Sequence, residues 1–305
     1  MKEKKPSLTA ELTTVVRVAE SMKPANERVC YDPLAKRFLG TTFSIVTKSQ
    51  LLTRIAVWCV ERVAPGLVGD VIGRVRYIDD YLETCTNDGL EQLVILGAGF
   101  DSRPYRFEEL NGKVKVFEID HPATQKVKKD KIKKIFGSLP DHVVYIPIDF
   151  NKEKLEERLF EKGYDRKLKT LFIWEGVTMY LTAEAVDETL AFVAKNSGEG
   201  SSIIFDYIFK SFLDDPSQWE GVGRIDTVRK AYELIDEPIT DERFIFGIPD
   251  GAITEFLSQR GFHRIEEVTG EYLKNTYFQG ANSNRNVLCV CGFVVATVDH
   301  TSPQS

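Results

Sequence analysis

The stretch from Gln92 to Asp120 limits what this chain can fold into more than any other. It reads Gln-Leu-Val-Ile-Leu-Gly-Ala-Gly-Phe-Asp-Ser-Arg-Pro-Tyr, then a short helical segment, then Lys-Val-Lys-Val-Phe-Glu-Ile-Asp. Leu93 to Leu96 is an unbroken apolar run of the kind that fills a parallel strand buried on both faces. Gly97 and Gly99 follow at once, so a tight turn is expected whose backbone a ligand can approach closely. Val114 to Ile119 predicts a second strand ending on Asp120. A carboxylate at that tip can accept two hydrogen bonds from the hydroxyls of a ribose. Strand, glycine turn, helix and strand together make a unit suited to a nucleoside.

Which nucleoside is a question of charge. A dinucleotide site calls for a third glycine, with the pyrophosphate on the helix start. Here Ser102 holds that position, and Arg103-Pro104 delays the helix. The turn also carries its own carboxylate, Asp101. A cationic ligand suits it better than a pyrophosphate, which favours S-adenosyl-L-methionine, with its sulfonium and ammonium, over NAD. An ordinary turn in an α/β protein is the plain alternative.

The remainder of the chain predicts one α/β domain, 1–305. Residues 1–88 read as a helical N-terminal cap, with helices over Leu8–Met22, Arg28–Leu39, Ser44–Val63 and Val68–Cys85. Residues 89–208 read as the cofactor-binding core. After Asp120, helical and strand patterns alternate: helices at His121–Phe136, Asn151–Glu161 and Thr182–Lys195, strands at Val143–Ile148, Thr170–Trp174 and Ser202–Tyr207. That rhythm means a parallel sheet with helices on both faces, and it delivers the polar strand tips to one edge, where ligands bind in open α/β sheets. Lys210 to Phe246 breaks the rhythm and predicts a lid over that edge, within an insertion at 209–248. A helix at Pro249–Arg260, a strand at Phe262–Thr269 and a long strand at Val287–Val298 predict an edge hairpin with one antiparallel strand. The whole is a doubly wound, mostly parallel, seven-stranded sheet.

Composition removes several function classes. A net charge of -6 with pI near 5.5 argues against nucleic acid as the main partner. The lysine-rich stretch Lys126–Lys134 reads as a solvated helix face. Met1 to Pro6 lacks the apolar core of a signal peptide, and no apolar run is long enough to span a membrane. Five cysteines, Cys30, Cys59, Cys85, Cys289 and Cys291, include no Cys-x-x-Cys, which fits free thiols in a reducing cytoplasm. The four histidines are scattered, so no metal is expected.

Several motifs then occur together: Glu20-Ser21 with Asp32-Pro33-Leu34-Ala35, Gly97-Ala98-Gly99-Phe100-Asp101-Ser102-Arg103, Phe117-Glu118-Ile119-Asp120-His121-Pro122, Ile148-Asp149-Phe150, and Trp174-Glu175-Gly176-Val177-Thr178-Met179-Tyr180-Leu181. Over roughly residues 10–300 the chain resembles the leucine carboxyl methyltransferase superfamily, and within it the microbial tetracenomycin-type polyketide O-methyltransferases. The resemblance implies the class I S-adenosylmethionine-dependent methyltransferase fold. It implies that Gly97 and Gly99, with Asp101, form the turn beside the methionine part. Asp120 would hold the ribose, Asp149 and Phe150 the adenine, Glu175 the methionine ammonium, and Arg76 the methionine carboxylate, with Arg74 its near neighbour. Tyr180 would stand near the transferred methyl.

Methyl transfer from a sulfonium asks little of acid catalysis, and an ionised carboxylate acceptor needs no general base. A small-molecule carboxylate, or a hydroxyl, is therefore the expected acceptor. Arg103, Tyr180, Tyr207 and Arg224 are candidates to steer it, with Arg103 and Tyr180 expected at the reacting atoms. A protein carboxyl methyltransferase, a non-catalytic cofactor-binding module and an NAD-dependent protein are the alternatives.

Overall fold

The computed structural model describes residues 8–150, 152–215, 244–288 and 290–299. Its sheet grows from period-two alternation. In β1 (Gln92–Leu96), Val94 and Leu96 face one side while Leu93 and Ile95 face the other. The same alternation runs through β2 (Lys115–Asp120), β3 (Val143–Pro147), β4 (Thr170–Trp174), β5 (Ser202–Ile208) and β7 (Cys291–Val298), whereas β6 (Phe262–Val268) buries only its two end residues fully and shifts register between His263 and Glu266. Both faces are therefore apolar, and both must be covered.

The seven strands stand in the order β3-β2-β1-β4-β5-β7-β6. β7 runs antiparallel to both neighbours, and the pairings among β1 to β5 are parallel. Register brings the C-terminal tips level: Leu96 lies beside Ile119, Asp120 beside Pro147, and Trp174 beside Phe205. The sequence predicted this mostly parallel sheet and its single reversed strand.

Helices fill the two layers. The N-terminal helices are α1 (Leu8–Ser21), α2 (Ala35–Phe38), α3 (Thr41–Val46), α4 (Gln50–Val63) and α5 (Leu67–Asn87). Next come α6 (Arg103–Arg106), α7 (Pro122–Phe136), α8 (Leu155–Glu161), α9 (Ala183–Lys195), α10 (Lys210–Asp214), α11 (Ile253–Ser258) and α12 (Gly270–Tyr277). Leu155, Leu159, Val186, Leu190, Val193 and Leu257 cover one sheet face, and Ile78, Leu82 and Leu273 cover the other. Each such fully buried aliphatic side chain contributes about 1.5–3 kcal/mol, so the sheet faces, not the loops, carry most of the stability.

Three details depart from the sequence reading. The last strand begins at Cys291 rather than Val287. The preceding residues cross the start of α5 instead, where Leu288 N–H donates to Gly66 O at 2.9 Å. A Cβ on Gly69 would overlap the Asn286 carbonyl, so two glycines create that crossing. Helix α12 was not foreseen; Thr269 caps it by accepting from Tyr272 N–H at 3.1 Å. The lysine-rich α7 is not wholly solvated, because Lys128 is buried at 1% exposure. The expected lid lies largely outside the described residues, as do Arg224 and Cys289. Among the described residues, Cys30, Cys59 and Cys85 are free thiols.

Candidate active site

The level strand tips open onto a cavity of about 610 Å³. Its floor is the turn after β1. Gly97 has φ +67 and Gly99 φ +41, a region L side chains rarely adopt. A Cβ on Gly97 would overlap Cγ2 of Val177, so the turn is packed as well as bent. Asp120 ties this turn to the second strand: its Oδ2 accepts from Gly99 N–H and its Oδ1 from His121 N–H, both at 2.6 Å. Burial raises the Asp120 pKa, and those two N–H donors oppose the rise.

Opposite the turn lies a network of five carboxylates and three guanidinium groups. Arg74, on α5, donates from Nε to Glu175 at 3.1 Å and from NH1 to Asp206 at 2.7 Å, with Asp70 at 3.7 Å. Arg103 donates from Nε to Asp79 at 2.8 Å, and from NH1 to Asp101 at 2.7 Å and Glu175 at 3.0 Å. Arg106 closes the group on Asp79 at 2.6 Å. Burial works against charge on Glu175, but Arg103 and Arg74 more than offset it and hold its pKa below the usual carboxylate range. Burial likewise opposes ionisation of Asp101, yet Arg103 and Lys128 hold it down at about 2. Asp70 goes the other way: burial pushes it up to about 6 despite Arg74. Carboxylates outnumber guanidiniums here, so the wall carries net negative charge in a dry setting, where charge acts strongly.

The cavity's far end is apolar, with Leu67, Met179, Phe212, Phe244, Leu288 and Val290. Tyr180 stands at that end with its ring centroid 5.4 Å from that of Phe244. Gly97, Gly99, Asp101, Arg103, Asp120, Asp149, Phe150, Glu175 and Tyr180 thus all line one cavity, as the strand-tip argument expected.

A family model described as leucine carboxyl methyltransferase matches residues 10–194. The chain belongs to that family. Relatives agree: YktD of Bacillus subtilis, named for S-adenosyl-L-methionine-dependent methyltransferase activity, is 38% identical over 45% of this chain and 44% of its own. A relative of the same name from Mycobacterium sp. strain JLS is 29% identical over 70% of this chain and 67% of its own. The chain spans under half the length of the Bacillus relative and of a Streptomyces coelicolor one. A solved DUF574 family protein from Streptomyces avermitilis shares the fold, with a TM-score of 0.56 at 12% identity over 96% of this chain and 98% of that one.

For this member of the leucine carboxyl methyltransferase family, the structure corrects two residues. Arg76 does not line the cavity. It pairs with Asp80 at 2.8 Å, donates to Val29 O at 3.3 Å, and its side chain is 46% exposed. Arg74, two positions earlier, is the arginine that faces the site. Tyr207 is fully buried and donates to Glu267 at 2.7 Å, so it faces away from the cavity. Arg103 does reach the wall, but at 2% exposure its guanidinium is occupied by three carboxylates. Asp149 pairs with exposed Lys152 at 2.6 Å and does not cap α8, which starts at Leu155.

Sequence reasoning missed the supports. Asp32, in the Asp-Pro motif, accepts from Arg17 NH1 and Ser102 Oγ, both at 2.7 Å, while Arg17 NH2 donates to Phe100 O at 2.9 Å. The glycine loop is thus held by the N-terminal helices. Lys128 Nζ donates to Glu118 at 2.7 Å and to Ala98 O at 3.2 Å, bracing the same loop from below. Asp206 accepts from Gly176 N–H at 2.6 Å and fixes the turn after Glu175. An acid inside the otherwise apolar Ile203–Ile208 run was the signal available for it.

Proposed function

We propose that this chain transfers the methyl group of S-adenosyl-L-methionine to an oxygen nucleophile of a small, largely apolar molecule. The observation that carries the reading is the convergence of Gly97, Asp120, Asp149, Glu175 and Arg74 on one cavity whose wall is net negative. Sulfonium and ammonium suit that wall, and a pyrophosphate does not.

The fit can be followed residue by residue. Gly97 and Gly99, at positive φ, give the turn at the cavity floor a course that L side chains rarely allow, and Gly97 would lie beside the methionine part. Asp120 keeps acceptor capacity beyond its two N–H partners, since a carboxylate has about four lone-pair sites, and would take the ribose hydroxyls. Asp149 and Phe150 would hold the adenine. Glu175, held ionised by two arginines, would accept from the methionine ammonium. Arg74 would donate to the methionine carboxylate; among the described residues NH2 makes no bond, while Nε and NH1 are used on Glu175 and Asp206. When bound, the cofactor supplies an electrophilic methyl carried on sulfonium. The chain's part is then to align the acceptor within about 3–3.5 Å and to exclude water.

The apolar end, with Tyr180 on it, suits the acceptor's body. A carboxylate acceptor is the simplest, because it arrives ionised. Asp70 favours a second reading: a carboxylate at the cavity wall with its pKa pushed up to about 6 is a suitable base for a hydroxyl acceptor. Arg103 is better read as the brace that orients Glu175 than as a group that touches the acceptor. Calorimetry with S-adenosylhomocysteine on the wild type tests the cofactor assignment, and absence of binding sinks it. Incubation with labelled cofactor and matched apolar acids and phenols, with Asp70→Asn alongside, separates the two acceptors. Loss of phenol methylation alone in the variant supports the base.

A further inference from the structure

Helix α4 (Gln50–Val63) carries apolar side chains on its outward side as well as on its inner one. Thr53 is buried and Val57 and Val60 are partly buried on the inner side, whereas Leu51 is 66% exposed, Leu52 48%, Ile55 49% and Trp58 58%. At about 100° per residue these four fall on one outward arc. Ile45, on α3, adds 56% exposure nearby. An exposed apolar patch of this kind marks a contact surface.

Charge identifies the medium. Residues 41–64 carry three cations, Lys48, Arg54 and Arg62, and a single acid, Glu61. Glu61 is turned inward, accepting from Gly66 N–H at 2.7 Å, with its other oxygen buried and unpartnered among the described residues. The three cations are exposed, and Arg62 lies over the Trp58 ring at 5.2 Å. In a chain of net charge -6 this segment is locally cationic. A second copy of the same face would set these cations against one another. An anionic interface would pair with Lys48 and Arg54 and accept the leucine, isoleucine and tryptophan side chains.

We propose that the outward face of α4 docks on an anionic lipid surface, with the helix lying in the interfacial plane. Among the described residues no helix is long and apolar enough to cross a membrane, so the attachment is along the surface. Helix α4 runs through Ala64-Pro65-Gly66 into α5, whose Leu67 lines the apolar end of the cavity. Docking there sets the apolar end of the cavity close to the lipid phase. The inference stands independently of the methyl-transfer reading.

The test is flotation of the full chain with vesicles of phosphatidylcholine alone and of phosphatidylcholine mixed with phosphatidylglycerol. The chain is expected to float only with the anionic vesicles, and less so as salt rises. Leu51→Glu/Ile55→Glu should lower the bound fraction at least about tenfold with an unchanged unfolding midpoint, since both side chains are exposed. Arg54→Gln should weaken binding roughly fivefold. Three results would overturn the proposal. One is no preference for anionic vesicles. Another is full flotation of the double variant. The third is a dimer by light scattering that the double variant abolishes, which would assign the face to a second copy.

Discussion

Gly97→Ala tests the glycine turn directly, because two separable costs meet at one atom. The first is conformational: at φ +67 an L residue costs about 1–2 kcal/mol relative to glycine. The second is steric. The new Cβ would overlap Cγ2 of Val177 and lie 3.3 Å from its Cγ1. Val177 is half-buried and packed on the core beneath β4, so it gives way only with strain, costing about 1–3 kcal/mol. The substitution should therefore destabilise by about 2–5 kcal/mol, the sum of these two ranges. In a Val177→Ala background the steric part disappears and the conformational part remains, leaving about 1–2 kcal/mol. Urea unfolding of the four proteins of this cycle, followed by circular dichroism, gives the coupling as a difference of differences. The reasoning fails if Gly97→Ala costs the same in both backgrounds, or if it costs nothing. Either result would mean that the turn relaxes without touching Val177.

Other outcomes follow from the same site. Glu175→Ala should weaken S-adenosylhomocysteine binding roughly 10–100-fold by calorimetry, the worth of a charged hydrogen bond; unchanged affinity would remove the ammonium assignment. Arg74→Gln should weaken it similarly, while Arg76→Gln, altering an exposed pair, should leave it within about twofold; the opposite ranking would restore Arg76. Lys128→Met strands buried Glu118 and should cost about 3–5 kcal/mol in urea unfolding, with Glu118→Gln added to it recovering part of the loss. The Asp101 pKa lies at about 2, below its ordinary 3.8. Its stabilising effect is thus complete above about pH 4 and lost as pH falls toward 2. Asp101→Asn should remove about 2 kcal/mol of that acid dependence, and an unchanged acid limb would contradict the Arg103 pairing.

The sheet and its glycine turn were legible because their causes are local. Apolar runs, a Gly-x-Gly and an acid at a strand tip each act within a few residues. Arg74 and Arg76 were not separable on those terms. They lie about 200° apart on a helix, and each borders the apolar stripe of Val68, Val71, Ile72, Val75 and Ile78 from its opposite edge. Only the docking of α5 against the strand tips turns one inward. Arg103 lines the cavity, but its partners Asp79 and Glu175 are far from it in sequence and absorb the charge that looked available to an acceptor. Helix α12 was hidden by its brevity and by Gly270 at its first turn, a residue that costs helix stability. The membership of Asp32 in a motif was visible, but its work as an acceptor for Ser102 was not, since seventy positions of chain separate the two.

That last contact has a wider consequence. The helices before β1 would pass for an accessory layer, a detachable preface to a nucleotide-binding fold. Yet Arg17, Asp32 and Ser102 bolt them to the loop on which the cavity floor rests. A shortened chain beginning at β1 would keep every strand and still lose the scaffold of its own floor, so a transplanted sheet core would have to bring its preface along.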